Sequence, residues 1–435
     1  MSPAAQQPTA LYPRAVGISS VSLMIILLSL MSVVASAQSS SQDQRRAPYE
    51  KRLFPKDPAV ESRFGYSAGI SGDAMVIGAF IADGVMPGAG AAYVFERVHG
   101  RWIQNAKIFA SDGADGDGFG SSAAISGDTI VIGAPFAAVS GVEGAGAAYV
   151  FHRESGMWVQ QAKLPSPDPR DFGDFAGDLG VAISGDTIVV ADGAAFQPPS
   201  TFGAVSVYTR KGSSWKQTAR LTVDNEPSFA TSVAVDQDTV VVGASTGNAG
   251  QVAFAGAAYV FHRNHGLWSQ QARLTADDPT QAAGLGFSVA VSGDRVAIGA
   301  INAQVGDHLP GAVYVFGRNG DEWKEQAKLA ATDGADFDLL GFRVAISGST
   351  VLAGAENRAS GANPAVGAAY VFQPREGGWA QVAELLASDG TASALFGCST
   401  AVDGETVLVG AGGQTTKAGA GAGEAYAYQL EDDTR

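Results

Sequence analysis

Two runs of aspartate are the residues of this sequence whose type and spacing best suit chemistry: Asp112, Asp115 and Asp117, and Asp333, Asp336 and Asp338. Carboxylates this close on a loop can converge on a hard cation, and calcium, which takes about six to eight oxygens, is the ion they would hold. These six are the candidate metal ligands, and no other cofactor is predicted. A competing reading is that an aspartate recurs near this place throughout the chain, at Asp57, Asp168, Asp224, Asp278 and Asp389, and serves turn geometry and solubility.

Other reactive residue types are less suggestive. His152 and His262 share one position of an internal repeat, and His99 and His265 share another, which marks them as architecture; His308 alone sits in a variable segment. No nucleophile elbow, metal-type histidine pair or phosphate loop is present, and glycine strings such as Gly419-Ala420-Gly421-Ala422-Gly423 belong to loops. No catalytic or cofactor-binding residue is assigned. The single cysteine, Cys398, excludes an intrachain disulfide and reads as a small core residue.

The elements that must position these residues are repeated. Phe64-Gly65-Tyr66-Ser67-Ala68-Gly69-Ile70-Ser71-Gly72-Asp73 recurs as 119–128, 177–186, 229–238, 285–294, 340–349 and 396–405. Each copy leads into a β-branched run ending in Gly-Ala or a near equivalent, then a variable loop, then a run such as Gly146-Ala147-Ala148-Tyr149-Val150-Phe151. A last run opens at tryptophan, and all six tryptophans (Trp102, Trp158, Trp215, Trp268, Trp323 and Trp379) hold that place. Short Val, Ile, Tyr and Phe runs between Gly, Asp, Ser and Asn turns are strand signals, so each repeat predicts four strands. The Ser-Gly-Asp between the first two suits a tight hairpin, because glycine accepts positive φ without steric cost. The tryptophan and tyrosine rows are expected to pack along and between sheets.

A lone four-stranded sheet exposes both faces and both edges, and radial repetition around an axis removes most of that exposure. The predicted fold is all-β: a seven-bladed β-propeller of four-stranded antiparallel blades, spanning 48–430. Tyr49-Glu50-Lys51-Arg52-Leu53 aligns with the fourth strand of the other repeats, and is expected to complete the last blade and close the ring.

Composition bounds the partners. The chain has 435 residues, 56 glycines and a formal charge of -15, which disfavours nucleic acid and anionic lipid as partners. Arg14, the apolar stretch Val16 to Val34 and Ala35-Ser36-Ala37 predict a signal peptide over 1–37, with an uncleaved anchor as the alternative. Residues 38–47 read as a disordered leader and 431–435 as a tail. A secreted monomer, extracellular, periplasmic or on the cell surface, without a span in the mature chain, is the expectation.

Phe119-Gly120 opening the repeat and Gly133-Ala134-Pro135 closing its second strand resemble the FG-GAP repeat, the blade unit of integrin α-subunits and of many secreted bacterial proteins. The resemblance covers 48–430. It implies a seven-bladed propeller serving as an extracellular adhesion or ligand-binding platform. Many FG-GAP blades hold calcium in an Asp-rich loop between strands one and two; here that loop is only Ile125-Ser126-Gly127-Asp128-Thr129 and its counterparts, so those sites are not carried over. Recognition is expected on the loops between strands two and three (80–89, 135–145, 192–202, 245–255, 301–310, 356–366 and 412–422), with an extracellular protein or glycan as partner. The alternative is a secreted enzyme cleaving polysaccharide or phosphoester through acidic residues near the axis.

Overall fold

Seven four-stranded antiparallel sheets form a ring in the computed structural model, which describes residues 49–170, 173, 175–193, 203–226 and 228–430. The predicted signal peptide, leader and tail lie outside the described residues. Among those residues no helix is long and apolar enough to cross a membrane.

In the first blade the strands run outward from the axis as Ser67–Ser71, Ala74–Ala79, Ala91–Val98 and Arg101–Ile108. Their innermost counterparts in blades two to seven are Ser122–Ser126, Val181–Ser184, Phe229–Asp236, Leu285–Ser292, Arg343–Ser347 and Phe396–Asp403. Burial follows position. The second strand is buried at every residue in five blades, as in Thr129–Ala134, and at all but its first residue in blades one and five, because neighbouring blades cover both its faces. The outer strand alternates over its first half: Arg101, Ile103 and Asn105 are exposed and the residues between them are not.

Local chemistry explains the turns. Gly72 and Gly127, first of the two residues joining the inner strands, have φ of 56° and 54°, as a tight hairpin of this kind requires. At the outer hairpin both turn residues are left-handed, His265 at 49° and Gly266 at 80°. His99 and His265 are therefore turn residues.

Between blades the core is aromatic. Phe119 is fully buried and meets Tyr149 and Phe151 edge-on at 5.6 and 5.9 Å, and the same trio recurs as Phe64, Tyr93 and Phe95. The tyrosine row behaves as expected for packing. The tryptophans differ: all but Trp215 are only half-buried on the outer strand, and four of the six, Trp102, Trp215, Trp268 and Trp323, lie beneath an arginine, as Arg263 sits over Trp268 at 5.2 Å. They cover an edge rather than fill a core.

The chain ends meet in the last blade. Tyr49–Leu53 pairs antiparallel with Glu424–Gln429, from Tyr49 opposite Gln429 to Leu53 opposite Ala425. Arg52 on this strand forms ion pairs with Glu424, which is fully buried, and with Asp389. No other blade has a carboxylate at the position of Glu424, where alanine stands instead.

The third blade corrects the sequence alignment. Its counterpart of Phe119-Gly120 is not Gly177-Asp178 but Phe175-Ala176: Phe175 is fully buried, and the Ala176 carbonyl accepts the Ser122 hydroxyl as the Gly120 carbonyl accepts that of Ser67. Two extra residues separate this pair from the following strand. The misalignment arose because a fixed spacing back from Ser184-Gly185-Asp186 lands on Gly177, inside the insertion, and so misses Phe175.

Candidate functional site

The six sequence-predicted aspartates come first. Asp112 accepts the Tyr149 hydroxyl at 3.0 Å and the Lys163 ammonium at 2.7 Å. Burial pushes its pKa up, but these two hydrogen bonds hold it below its ordinary value. Asp333 takes Tyr370 at 3.0 Å and an ion pair with Arg358 in the same way, as Asp278 takes Tyr314 and Lys328, and Asp389 takes Tyr426 and Arg52. The recurring aspartate is therefore a staple from the segment linking two blades to a buried tyrosine of the next. Asp117 and Asp338 are buried within their own turns, each accepting a backbone N–H three residues back, from Ala114 and Ala335, at 2.8 Å. Asp115 is exposed, and Asp336 accepts the Leu309 N–H at 2.6 Å and lies 3.4 Å from His308. The structure thus sends the three aspartates of each run to separate partners. Among the described residues no group of three or more His, Cys, Asp or Glu is placed to hold a metal ion.

Two mouths of the central channel remain. At the first, the seven Ser-Gly-Asp-type hairpins meet. Ser71 accepts the Gly127 N–H, Ser126 that of Gly185, Ser184 that of Gln237, Asp236 that of Gly293, Ser292 that of Gly348, Ser347 that of Gly404 and Asp403 that of Gly72, at 2.6 to 3.1 Å. Each blade accepts from the next and the ring is complete. Outside it, turn aspartates pair with arginines that stack on the tryptophans, as Asp238 does with Arg263 at 2.6 Å. Blade six lacks both members, carrying Ser349 and Pro374 instead. A polar crevice of about 290 Å³ on this face, between blades one and two, holds Arg97 and Arg153, each already paired, with Asp73 at 2.6 Å and Glu96 at 3.0 Å.

The second mouth lies where the inner strands begin and the variable loops leave. Here the second residue after the Phe-Gly pair, or its counterpart, lines the channel in blades one, two, six and seven. Ser67, Ser122, Ser232, Ser288 and Ser399 each donate a hydroxyl to a backbone carbonyl of the next blade, at 2.7 to 3.1 Å. A Cβ on Gly78 would collide with both the Gly120 carbonyl and the Ser67 hydroxyl, which is why this strand position is glycine. Only blade three has alanine there, Ala191, and its latch serine is replaced by Gly180. The other broken latch is in blade six, where Arg343 stands in the serine position.

Those two breaks bring charge to the axis. Asp178, in the insertion of blade three, and Arg343 of blade six both line a channel cavity of about 80 Å³ with inner-strand residues of six blades. The Tyr66 hydroxyl donates to Asp178 at 2.7 Å. Glu356, directly after the second strand of blade six, is 9% exposed, and burial, partly offset by the positive charge of Arg343, pushes its pKa up to about 8. Cys398 is buried beside the same cluster, and loss of solvent pushes its thiol up to about 12, so it stays protonated and unreactive. Sequence reasoning named none of Tyr66, Asp178, Arg343 and Glu356 as site residues. A signal was available: Arg343 stands where five other copies have serine.

Around this mouth the variable loops differ in side chain but share a backbone. In five of them an identical two-residue bridge closes a small hairpin, Val139 with Val142, Ala249 with Val252, Val305 with His308, Ser360 with Asn363 and Thr416 with Gly419. Most of loop 192–202 lies outside the described residues. Large apolar side chains are exposed here, Ile81 at 39%, Met86 at 51% and Phe254 at 55%.

Residues 49–95, 102–151, 215–261, 268–316, 323–372 and 379–428 match the family model of the FG-GAP repeat. The unmatched stretch between the second and third of these contains the three inner strands of blade three, with its insertion and Ala191. Among curated proteins, none matches the chain.

Proposed function

The chain belongs to the FG-GAP repeat family, and on that premise we propose that it is a secreted or cell-surface binding scaffold whose variable face recognises an extracellular protein or glycan. The observation that carries this reading is the asymmetry of the two faces. One face ends in polar turns hydrogen-bonded to each other; the other presents loops of common backbone and divergent, partly apolar side chains. A rigid frame with exchangeable side chains suits recognition, because little conformational entropy is lost when a partner docks.

The test is a glycan and protein array probed with the wild-type chain and with a triple variant, Ile81→Ser, Met86→Ser and Phe254→Ser. Saturable binding to one ligand class, weakened at least tenfold in the variant at an unchanged melting temperature, is the expected result. Absence of any saturable ligand, or a ligand held equally by both proteins, overturns the assignment to this face.

The axial carboxylates Asp178 and Glu356 favour a second reading, a hydrolase of polysaccharide or phosphoester working at the axis. A cavity of about 80 Å³ has room for only about two or three waters, so the substrate would have to present a small terminal group. Turnover of nitrophenyl glycosides or phosphate esters, lost in Asp178→Asn, would establish it over the scaffold.

A further inference from the structure

Two of the buried ionisable groups at the channel mouth, Arg343 and Glu356, have no side-chain hydrogen-bond partner among the described residues. Arg343 is 7% exposed, yet its one hydrogen bond among the described residues goes to the Phe342 carbonyl at 3.2 Å, with the guanidinium stacked on the Phe342 ring at 4.5 Å. No carboxylate among the described residues forms an ion pair with it. Glu356, 9% exposed, has no hydrogen-bond partner among the described residues either, and Asp178 is engaged by Tyr66. Buried ionised groups in folded proteins are paired, because leaving water uncompensated costs several kcal/mol. An arginine that replaces a structural serine, lines a cavity and gives none of its donors to a carboxylate among the described residues can offer them to a ligand.

We propose that the axial mouth binds a small carboxylate monoanion, gripped by Arg343. The guanidinium presents two parallel N–H donors in the geometry of a carboxylate's two oxygens. Charge favours the lower valence: the Asp178 side chain lines the same cavity, and a carboxylate there repels the two charges of a phosphate or sulfate more strongly than the one of a carboxylate ligand. The cavity, about 80 Å³, limits what enters to a group the size of acetate or the carboxyl end of a larger molecule. This site goes beyond the loop-face reading and stands whether or not the loops bind a partner.

The test is saturation-transfer NMR on the acetate methyl protons with the full chain, alongside its Arg343→Met and Arg343→Lys variants, with Arg97→Gln on the opposite face as control. Saturable acetate binding, weakened at least tenfold in Arg343→Met and several-fold in Arg343→Lys, but unchanged in Arg97→Gln, is expected. Methyl-group signals from methylammonium should show no saturation. Equal binding in wild type and in a folded Arg343 variant overturns the proposal, as does no saturable acetate signal. If Arg343→Met fails to fold, the wild type still decides: displacement of acetate by sulfate at lower concentration than by formate, or preferential binding of methylammonium, overturns it. A carboxyl-bearing oligosaccharide or peptide displacing acetate would show that the group arrives on a larger partner; formate alone doing so would show a free small acid.

Discussion

At one mouth of the channel all seven hairpins are joined blade to blade by a hydrogen bond, while at the other only five of seven serine latches survive: Gly180 and Arg343 replace the other two serines, and Asp178 of the blade-three insertion lines the channel beside them. Both mouths are made of the same repeat, so the contrast is not one of fold. The complete ring tolerates replacement of its serine by aspartate in blades four and seven, since either side chain accepts the turn N–H. The broken ring departs in ways that remove the bond and introduce charge. One mouth is specialised for holding the ring together; the other has given up part of that role at two of its seven positions.

Substitutions at corresponding glycines should sharpen the contrast most. Gly78→Ala drives a methyl group into the Gly120 carbonyl and the Ser67 latch, and should cost roughly 3 kcal/mol, the upper part of the overpacking range. Gly127→Ala at the turn mouth meets open space and bears only its φ of 54°, about 1 kcal/mol. Chemical denaturation of the two variants measures both; equal losses would erase the difference between the mouths.

Next is the pH dependence of stability. Burial raises the Glu356 pKa in the folded chain from 4.5 to about 8, so folding favours its protonated form. The stability this contributes is fully present below the unfolded value and is lost as pH rises through about 8. The melting temperature should fall by several degrees between pH 5 and pH 9 in the wild type, and less in Glu356→Gln. Other carboxyls raised by burial, such as Glu424 at about 6, titrate in both proteins and cancel from the comparison.

Arg343→Ser would rebuild the sixth latch, and should stabilise the fold by about 1 kcal/mol, the net worth of a typical hydrogen bond, while removing acetate binding. Destabilisation would mean that Arg343 supports the frame. The smallest effect belongs to the outside of the turn face: Asp238→Asn breaks an ion pair with half-exposed members and should change stability by no more than about 0.5 kcal/mol.

Much of this was legible from single residues. The Phe-Gly pairs, the Ser-Gly-Asp turns and the tyrosine row can be read because strand period and turn chemistry act over a few neighbours, and seven repetitions average out local departures. The aspartate staples were half legible: recurrence of Asp57, Asp278 and Asp389 beside Asp112 and Asp333 pointed to architecture, but the buried tyrosine hydroxyl across the blade boundary did not show. Blade three was misread because the alignment followed Gly177 and the burial of Phe175 is a property of the packed ring. Half-burial of the tryptophans was equally hidden, since a residue type does not say which strand faces solvent.

The sequence by itself determined the repeat, its four strands, the number of blades and the place where the copies vary, all of which rest on local pattern. Only the tertiary structure decided that Tyr66, Asp178, Arg343 and Glu356, drawn from blades one, three and six, share one mouth of the channel. Ring closure sets side by side residues more than a hundred positions apart, and the burial that encloses Arg343 and raises the Glu356 pKa exists only once the ring has closed.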